Sequence, residues 1–325
     1  MTKNNKSLNI FFLALIIFSA ILVLLPFIHY PVIVSELLIS FRISMSVILL
    51  LFVLVFVIGR AYWFAMSQIL LVVCNLWPVI GAYSFREKPA TCTYDTQSKV
   101  LKVLSFNVYF KNEDYESIFQ TLKASDADII VLQEAQPNFM RYGHERLTLD
   151  YPFYYPAIEA GKHARWTLYS RYSIVDVNVQ DIVNVKSAAL HAQIDVNGRI
   201  VNMITLHAKS PKTLRRLEAR NARLDGLGDV IRGIMKENKH VIVAGDFNNV
   251  PWHPTMKTFK AHTRLRNNDM VFNYFGTWPT WMPSFFSTPI DHIFYDEYFH
   301  HVSYSRKAHA GSDHYAISAD LYFCE

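Results

Sequence analysis

The chain has 325 residues, of which 51% are hydrophobic, and a formal net charge of +5. Residues 1–89 hold only six Lys/Arg and two Glu, whereas residues 90–325 hold 26 Lys/Arg against 25 Asp/Glu. The near-neutral second part excludes a global basic field of the kind that draws nucleic acid, and three cysteines without a short spacing exclude a zinc pattern.

Residues 1–89 read as a membrane anchor with three spans, at about 8–28, 43–58 and 61–85. The first, LNIFFLALIIFSAILVLLPFI, carries no charge and matches the ~20 residues that a bilayer-spanning helix needs. It is long for the apolar core of a signal peptide, and two further apolar runs follow it. None shows the polar face of a helix in a soluble bundle. Lys3 and Lys6 favour a cytoplasmic N-terminus and Arg60 a cytoplasmic second turn, with Arg42, Arg86 and Lys88 pulling the other way. Three crossings put residues 90–325 outside the cytoplasm, where Cys92 and Cys324, near the two ends of that part, could pair. Two crossings would leave the domain inside.

Beyond residue 90, strands and helices alternate. VLKVLSFNVYF (100–110) predicts a strand, residues 115–123 a helix, and 129–132 a buried strand. HARWTLYSRYSI follows, and then two strands joined by Asn197-Gly198, a hairpin signal. KTLRRLEARNARLDGLGDVIRGIMKEN predicts a long amphipathic helix and KHVIVAGDFNN the next strand. A loop-rich aromatic stretch leads to TPIDHIFYD and GSDHYAISADLYF. Hairpins mixed with strand–helix units predict an α/β fold, a sandwich of two sheets with helices outside.

The strand exits carry polar side chains of a restricted set: Asn107, Glu134, His207, Asp246 with Asn248, Asp291 with His292, and Asp313 with His314. Each alone fits a capped turn, a solvated edge or a packed histidine. Six in succession argue for one site, because strand ends on one side of a sheet converge. Carboxylates after apolar strands are hard oxygen ligands suited to Mg²⁺ or Mn²⁺. No HExxH helix is present. Histidines beside aspartates provide proton transfer and charge stabilisation, and amides hold a phosphate oxygen or a water. That combination suits attack of water on a phosphate ester.

LSFNV, VLQE, SRYSI, LHAKSP, AGDFN, PIDHI and GSDH occur in the order seen in the endonuclease/exonuclease/phosphatase (DNase I-like) superfamily, which residues 99–323 resemble. With its three N-terminal spans the chain also looks like a membrane-anchored bacterial branch. The resemblance implies an integral protein of a bacterial inner or plasma membrane, with residues 90–325 as the catalytic domain. It implies Glu134 as principal Mg²⁺ ligand (Mn²⁺ being an alternative), with Asn107 close to the metal or its water. Asp246 would orient or deprotonate the attacking water, and Asn248 bind the scissile phosphate. His207 and His314 would contact phosphate oxygens, Asp291 fix the tautomer of His314, and Asp313 help position the metal or the neighbouring histidine. Tyr109 stands where some nucleases carry an acidic residue, which weakens the case for a second metal and for an abasic-site endonuclease. A non-catalytic membrane-tethered binding module competes with the enzyme, against the fact that every expected position is filled.

Two substrate classes stay open. KSPKTLRRLEARNARLD, with Lys209, Lys212, Arg215, Arg216, Arg220 and Arg223, is a candidate track for nucleic-acid phosphates or simply a solvated helix face. The aromatic loop 271–289, with Trp278 and Trp281 as its substrate-contacting candidates, suits a lipid or lipid-linked phosphate at the bilayer. No protein partner is inferable.

Overall fold

The computed structural model describes residues 3–28, 33–84, 100–155, 166–182, 185–237, 240–267, 276–283 and 285–324. Four helices come first: α1 (Lys3–Leu24), α2 (Ile33–Ser40), α3 (Arg42–Ile58) and α4 (Tyr62–Ser84). α1 and α4 are long and apolar enough to cross a membrane, and α2 and α3, bent by 77° at their junction, make a third span if taken together. The short α2 was not expected from the sequence, because its eight residues give too little periodicity to read. Polar residues inside the bundle pair with each other, as buried polar groups require. Arg42 Nη1 donates to the Asn75 carbonyl and side-chain oxygen at 3.1 and 3.2 Å, and Asn75 Nδ2 donates to Ser46 Oγ at 2.8 Å.

The second part holds β1 (Leu101–Asn107), α5 (Tyr115–Ala124), β2 (Ile129–Gln133), α6 (Pro137–Thr148), β3 (Phe153–Tyr155), β4 (Trp166–Ser170), β5 (Ser173–Ile182), β6 (Val185–Val196), β7 (Arg199–His207), α7 (Leu214–Glu237), β8 (Val241–Asp246), α8 (Pro254–Thr263), β9 (Asp291–Tyr295), β10 (Phe299–Arg306) and β11 (Ile317–Phe323). One sheet runs β10-β11-β1-β2-β4-β3 and the other β5-β6-β7-β8-β9. Their facing sides share a core that includes Val103, Val131, Leu168, Ile194, Ile242 and Ile293. α5 and α6 cover the outer face of the first sheet, and α7 and α8 that of the second. The expected two-sheet α/β sandwich is therefore the fold observed.

Asn197 and Gly198, both at positive φ, close the β6–β7 hairpin as the sequence predicts. α8 lies in the stretch expected to be loop-rich, and α6 in a segment to which the sequence assigned no element. Each starts with Pro at its first turn, and in α8 the His253 side chain accepts from Thr255 N at 3.1 Å. Pro at the first helical position is pre-organised for a helix, a start signal that the polar composition of both segments masks. The question of a Cys92–Cys324 pair or two free thiols, and the loop residues 271–275 and 284, involve positions outside the described residues.

The helical segment is packed against the sandwich rather than merely tethered to it. Ile39, Val79 and Tyr83 form one apolar cluster with Val250, Trp252 and Ile290. Trp252 Nε1 donates to the Ile39 carbonyl at 2.6 Å and Ser44 Oγ to the Phe286 carbonyl at 3.3 Å. At the centre of the contact, Glu36 of α2 accepts from Arg220 Nη2 at 2.8 Å and meets His253 Nε2 at 3.0 Å. Arg220 is 1% exposed and Arg223 is also buried, which removes these two from the solvated face or phosphate track, while Lys209, Lys212 and Arg215 stay exposed. Buried guanidiniums need fixed partners, and these two have them inside the fold.

Removing one partner of a buried ion pair leaves an uncompensated charge, a loss of about 3–5 kcal/mol. Arg220→Met should lower the unfolding free energy of the full chain in detergent by that amount, and Glu36→Gln/Arg220→Met should recover part of it. A single variant within about 0.5 kcal/mol of the parent would show that Glu36 stays hydrated.

Candidate active site

Strand register brings the polar exits to one end of the sandwich. On parallel β7 and β8, His207 stands opposite Asp246, and on antiparallel β8 and β9, Asp246 stands opposite Asp291. On parallel β1 and β2, Asn107 stands opposite Gln133, one residue before Glu134. β11 runs antiparallel to β1, so the loop carrying Asp313 and His314 arrives at the same end. The backbone here adopts conformations that side chains disfavour: Tyr109, Glu134 and Asn248 have φ of 61°, 60° and 47°. Gly245 has φ of 150°, and a Cβ there would lie 2.0 Å from the Leu206 carbonyl oxygen, so no other residue fits between β7 and the exit of β8.

Asp246, 1% exposed, is the hub. Its Oδ1 accepts from the Asn248 backbone N at 2.7 Å, and its Oδ2 accepts from Asn248 Nδ2 at 2.8 Å and Asn107 Nδ2 at 3.1 Å. His207 Nε2 lies 3.5 Å and His314 Nε2 3.9 Å from the same oxygen. His207 Nε2 is also 3.4 Å from Glu134 Oε1, while Glu134 Oε2 accepts from Phe110 N at 2.9 Å. His314 Nδ1 bonds Asp291 Oδ2 at 2.8 Å.

Burial raises the Asp246 carboxyl well above the ordinary carboxylate range, and the nearby Asp291 charge adds to this against the pull of His314. Burial alone would lower the His314 imidazole, but the charge and hydrogen bond of Asp291, with the charge of Asp246, outweigh it and lift it to about 10. Burial pushes His292 down to about 4, so it is neutral, and its Nε2 donates to the Asn249 carbonyl at 2.9 Å.

A cavity of about 930 Å³ opens on this cluster, and Glu134, His207, Asp246, Asn248, Asp313 and His314 all line it. Asn107 and Asp291 are buried behind that wall and reach it through Asp246 and His314. Asp313 lines the cavity, but its Oδ2 accepts from Trp278 Nε1 at 3.1 Å, so the indole holds the carboxylate that the sequence assigned to a metal or a histidine. Trp278 also lines the cavity, whereas Trp281 is 74% exposed and outside the described lining.

Among the described residues, Asp246, Asp291 and His314 place donor atoms within 4.8 Å of one another, an acidic/His cluster of the size that holds a metal. The Asp291–His314 hydrogen bond already occupies two of those donors. Glu134 is the more open oxygen donor: its side chain is 20% exposed at the cavity, with one oxygen anchored on a backbone N–H. A carboxylate with room for water beside it suits Mg²⁺ or Mn²⁺, which keep several waters.

Sequence reasoning missed the side chains that hold these exits from outside. Arg220 Nη1 donates to the Asn248 carbonyl at 3.1 Å, and Arg223 Nη1 donates to the His207 carbonyl. Ser312 Oγ donates to the Asn107 carbonyl at 2.7 Å and accepts from His314 N at 3.0 Å, tying the last loop to β1. The only prior signal for the arginines was their three-residue spacing, which puts both on one face of α7.

The model of the Endonuclease/Exonuclease/phosphatase family matches residues 104–314. The chain belongs to this family. Endonucleases, exonucleases and phosphatases, for which the family is named, are hydrolases of phosphate esters. An endonuclease/exonuclease/phosphatase family protein from Bacteroides thetaiotaomicron superposes with a TM-score of 0.55 at 19% identity, over 71% of this chain and 97% of that one. A mutant beta toxin from Staphylococcus aureus with bound magnesium ions gives 0.52 at 17%, over 70% and 100%. Truncated TDP2 from Caenorhabditis elegans gives 0.55 at 16%, over 70% and 100%. At these identities the likeness is one of fold. No curated protein matches the chain in sequence.

His314 is imidazolium at neutral pH because of Asp291. The Asp291–His314 pair therefore adds stability that is fully present below the unfolded histidine value of 6.5 and is lost as pH rises through about 10. In NMR titrations of histidine-labelled protein, Asp291→Asn should move the His314 midpoint down by more than about one unit (about 1.4 kcal/mol). An unmoved midpoint would mean that Asp291 does not hold the charge.

Proposed function

We propose that the chain is a membrane-anchored, divalent-metal-dependent hydrolase that cleaves a phosphate ester by attack of water. The observation that carries this reading is the setting of Asp246, a buried carboxylate clamped by two asparagines and faced by two histidines at the floor of a cavity. A carboxylate so placed orients a water and accepts its proton. His314, charged through Asp291, and His207 stand where they would hold phosphoryl oxygens and offset the charge that builds in the transition state. Both Asn248 amide protons are engaged, with Ala208 O at 3.0 Å and Asp246 Oδ2 at 2.8 Å, so Asn248 would bind phosphate by exchanging one of these bonds.

Of the three residues expected at the metal, Glu134 fits best, with Asn107 acting through Asp246 and Asp313 held by Trp278. A divalent ion at Glu134 would withdraw charge from a phosphoryl oxygen and lower the barrier to displacement. The bound magnesium of the beta toxin neighbour supports Mg²⁺. The apolar helices support a membrane anchor, and the charges of Lys3, Lys6 and Arg60 support a domain outside the cytoplasm.

The test is hydrolysis of bis-p-nitrophenyl phosphate by the full chain in detergent. Turnover should need Mg²⁺ or Mn²⁺ and stop with EDTA, and Glu134→Ala and Asp246→Asn should each lower kcat by more than about a hundredfold. Undiminished turnover in Glu134→Ala would overturn the metal assignment, and in Asp246→Asn the water-activating role.

A further inference from the structure

The cavity has a second wall that the reaction does not need. Ile33, Leu37, Ser40 and Phe41, all from α2 and its junction with α3, line the same cavity as Glu134, His207 and His314. Trp278 and Ile290 continue this apolar surface, the Phe41 and Trp278 rings lying 6.4 Å apart. Lys209, Lys212 and Arg216 also line the cavity. One space therefore joins phosphate-directed polar groups, a cationic side and an apolar wall supplied by the segment that carries the membrane spans.

We infer that the substrate is the phosphate ester of a long-chain amphiphile, taken from the bilayer with its apolar chain against Ile33, Leu37 and Phe41 and its phosphate at His207 and His314. This rests on the phosphoesterase reading and adds the substrate class. A soluble phosphate ester has no use for an apolar wall, and a nucleic acid presents charged backbone rather than a continuous apolar surface. A lipid presents both halves of the match. Its chain also has a route: Leu37 is 54% exposed, and α2 continues into a chain of helices whose outward residues, such as Leu51 at 56% and Ile48 at 46%, are apolar. Trp281 at 74% and Phe285 at 50% expose further apolar area on the loop whose Phe286 carbonyl is bonded to Ser44 of α3. Aromatic side chains favour the headgroup region.

The experiment uses the full chain in phosphatidylcholine nanodiscs with two diesters that share a leaving group, methyl and hexadecyl 4-nitrophenyl phosphate. The hexadecyl ester should have a kcat/KM higher by about a hundredfold or more. Leu37→Ala and Ile33→Ala should each reduce that preference about tenfold (about 1.4 kcal/mol), whereas Val34→Ala should keep it, as Val34 is exposed on the same helix but outside the lining. Partitioning into the disc is the same for all variants, so it cannot produce this pattern. Equal kcat/KM for both esters, a preference that survives Leu37→Ala and Ile33→Ala, or faster hydrolysis of single-stranded DNA would each overturn the inference while leaving the phosphoesterase reading standing. No hydrolysis of any ester with Mg²⁺ would remove both.

Discussion

Asp246 is a carboxylate taken almost completely out of water, and the site is arranged around that fact. A buried carboxylate must be hydrogen-bonded or paired, or it becomes protonated. Here the first sheet contributes Asn107, the exiting chain contributes Asn248, and two histidines approach from either side. The carboxyl nonetheless stays well above its ordinary range, because burial and the charge of Asp291 outweigh these partners. Such a group holds a proton readily while remaining fixed in place. Gly245 is the geometric condition for all of it: β8 leaves the sheet so close to Leu206 that only a residue without a Cβ can stand there.

The same logic extends outwards from Asn248. Its carbonyl is bound by Arg220, whose charge is met by Glu36 of α2, which in turn meets His253. Burial keeps His253 below its usual range, so its Nε2 donates to Glu36 as a neutral ring while Nδ1 accepts from Thr255 N and starts α8. A residue of the N-terminal helical segment is thus three contacts from the central carboxylate. The position of α2 and the position of the Asn248 backbone are set by one set of buried polar bonds.

What the sequence made legible were contrasts over short distances. Strands buried on both faces read as apolar runs, so a polar residue at the exit stands out, and the register of parallel neighbours then brings such residues together. The Asn197-Gly198 turn was readable because only certain residues accept positive φ. Contacts without a local signature were not readable. Arg220 and Glu36 are 184 positions apart, and on its own helix Arg220 has the spacing of a solvated cation. Asp313 sits beside a histidine in sequence, yet its carboxylate bonds the indole of Trp278, 35 positions away. α6 and α8 were hidden because their apolar faces are short and their polar faces dominate the composition.

The break between α2 and α3 shows why the helical segment and the sandwich are best understood as one structure. Backbone that leaves a helix away from water needs partners for its carbonyls. At this break the Ile39 carbonyl is bonded by Trp252 and the Arg42 carbonyl by Asn75 Nδ2 at 2.7 Å, while Ser40 and Phe41 face the cavity. α3, at 17 residues or about 25 Å, runs on from Arg42. α2 then turns away by 77° and carries its one acidic residue into the domain. Without the domain, Glu36 and the Ile39 carbonyl would lose these partners. Without the helical segment, Arg220 would lose its counter-charge and the cavity one of its walls. The two halves therefore stabilise each other at the place where the Asp246 cluster faces the apolar wall.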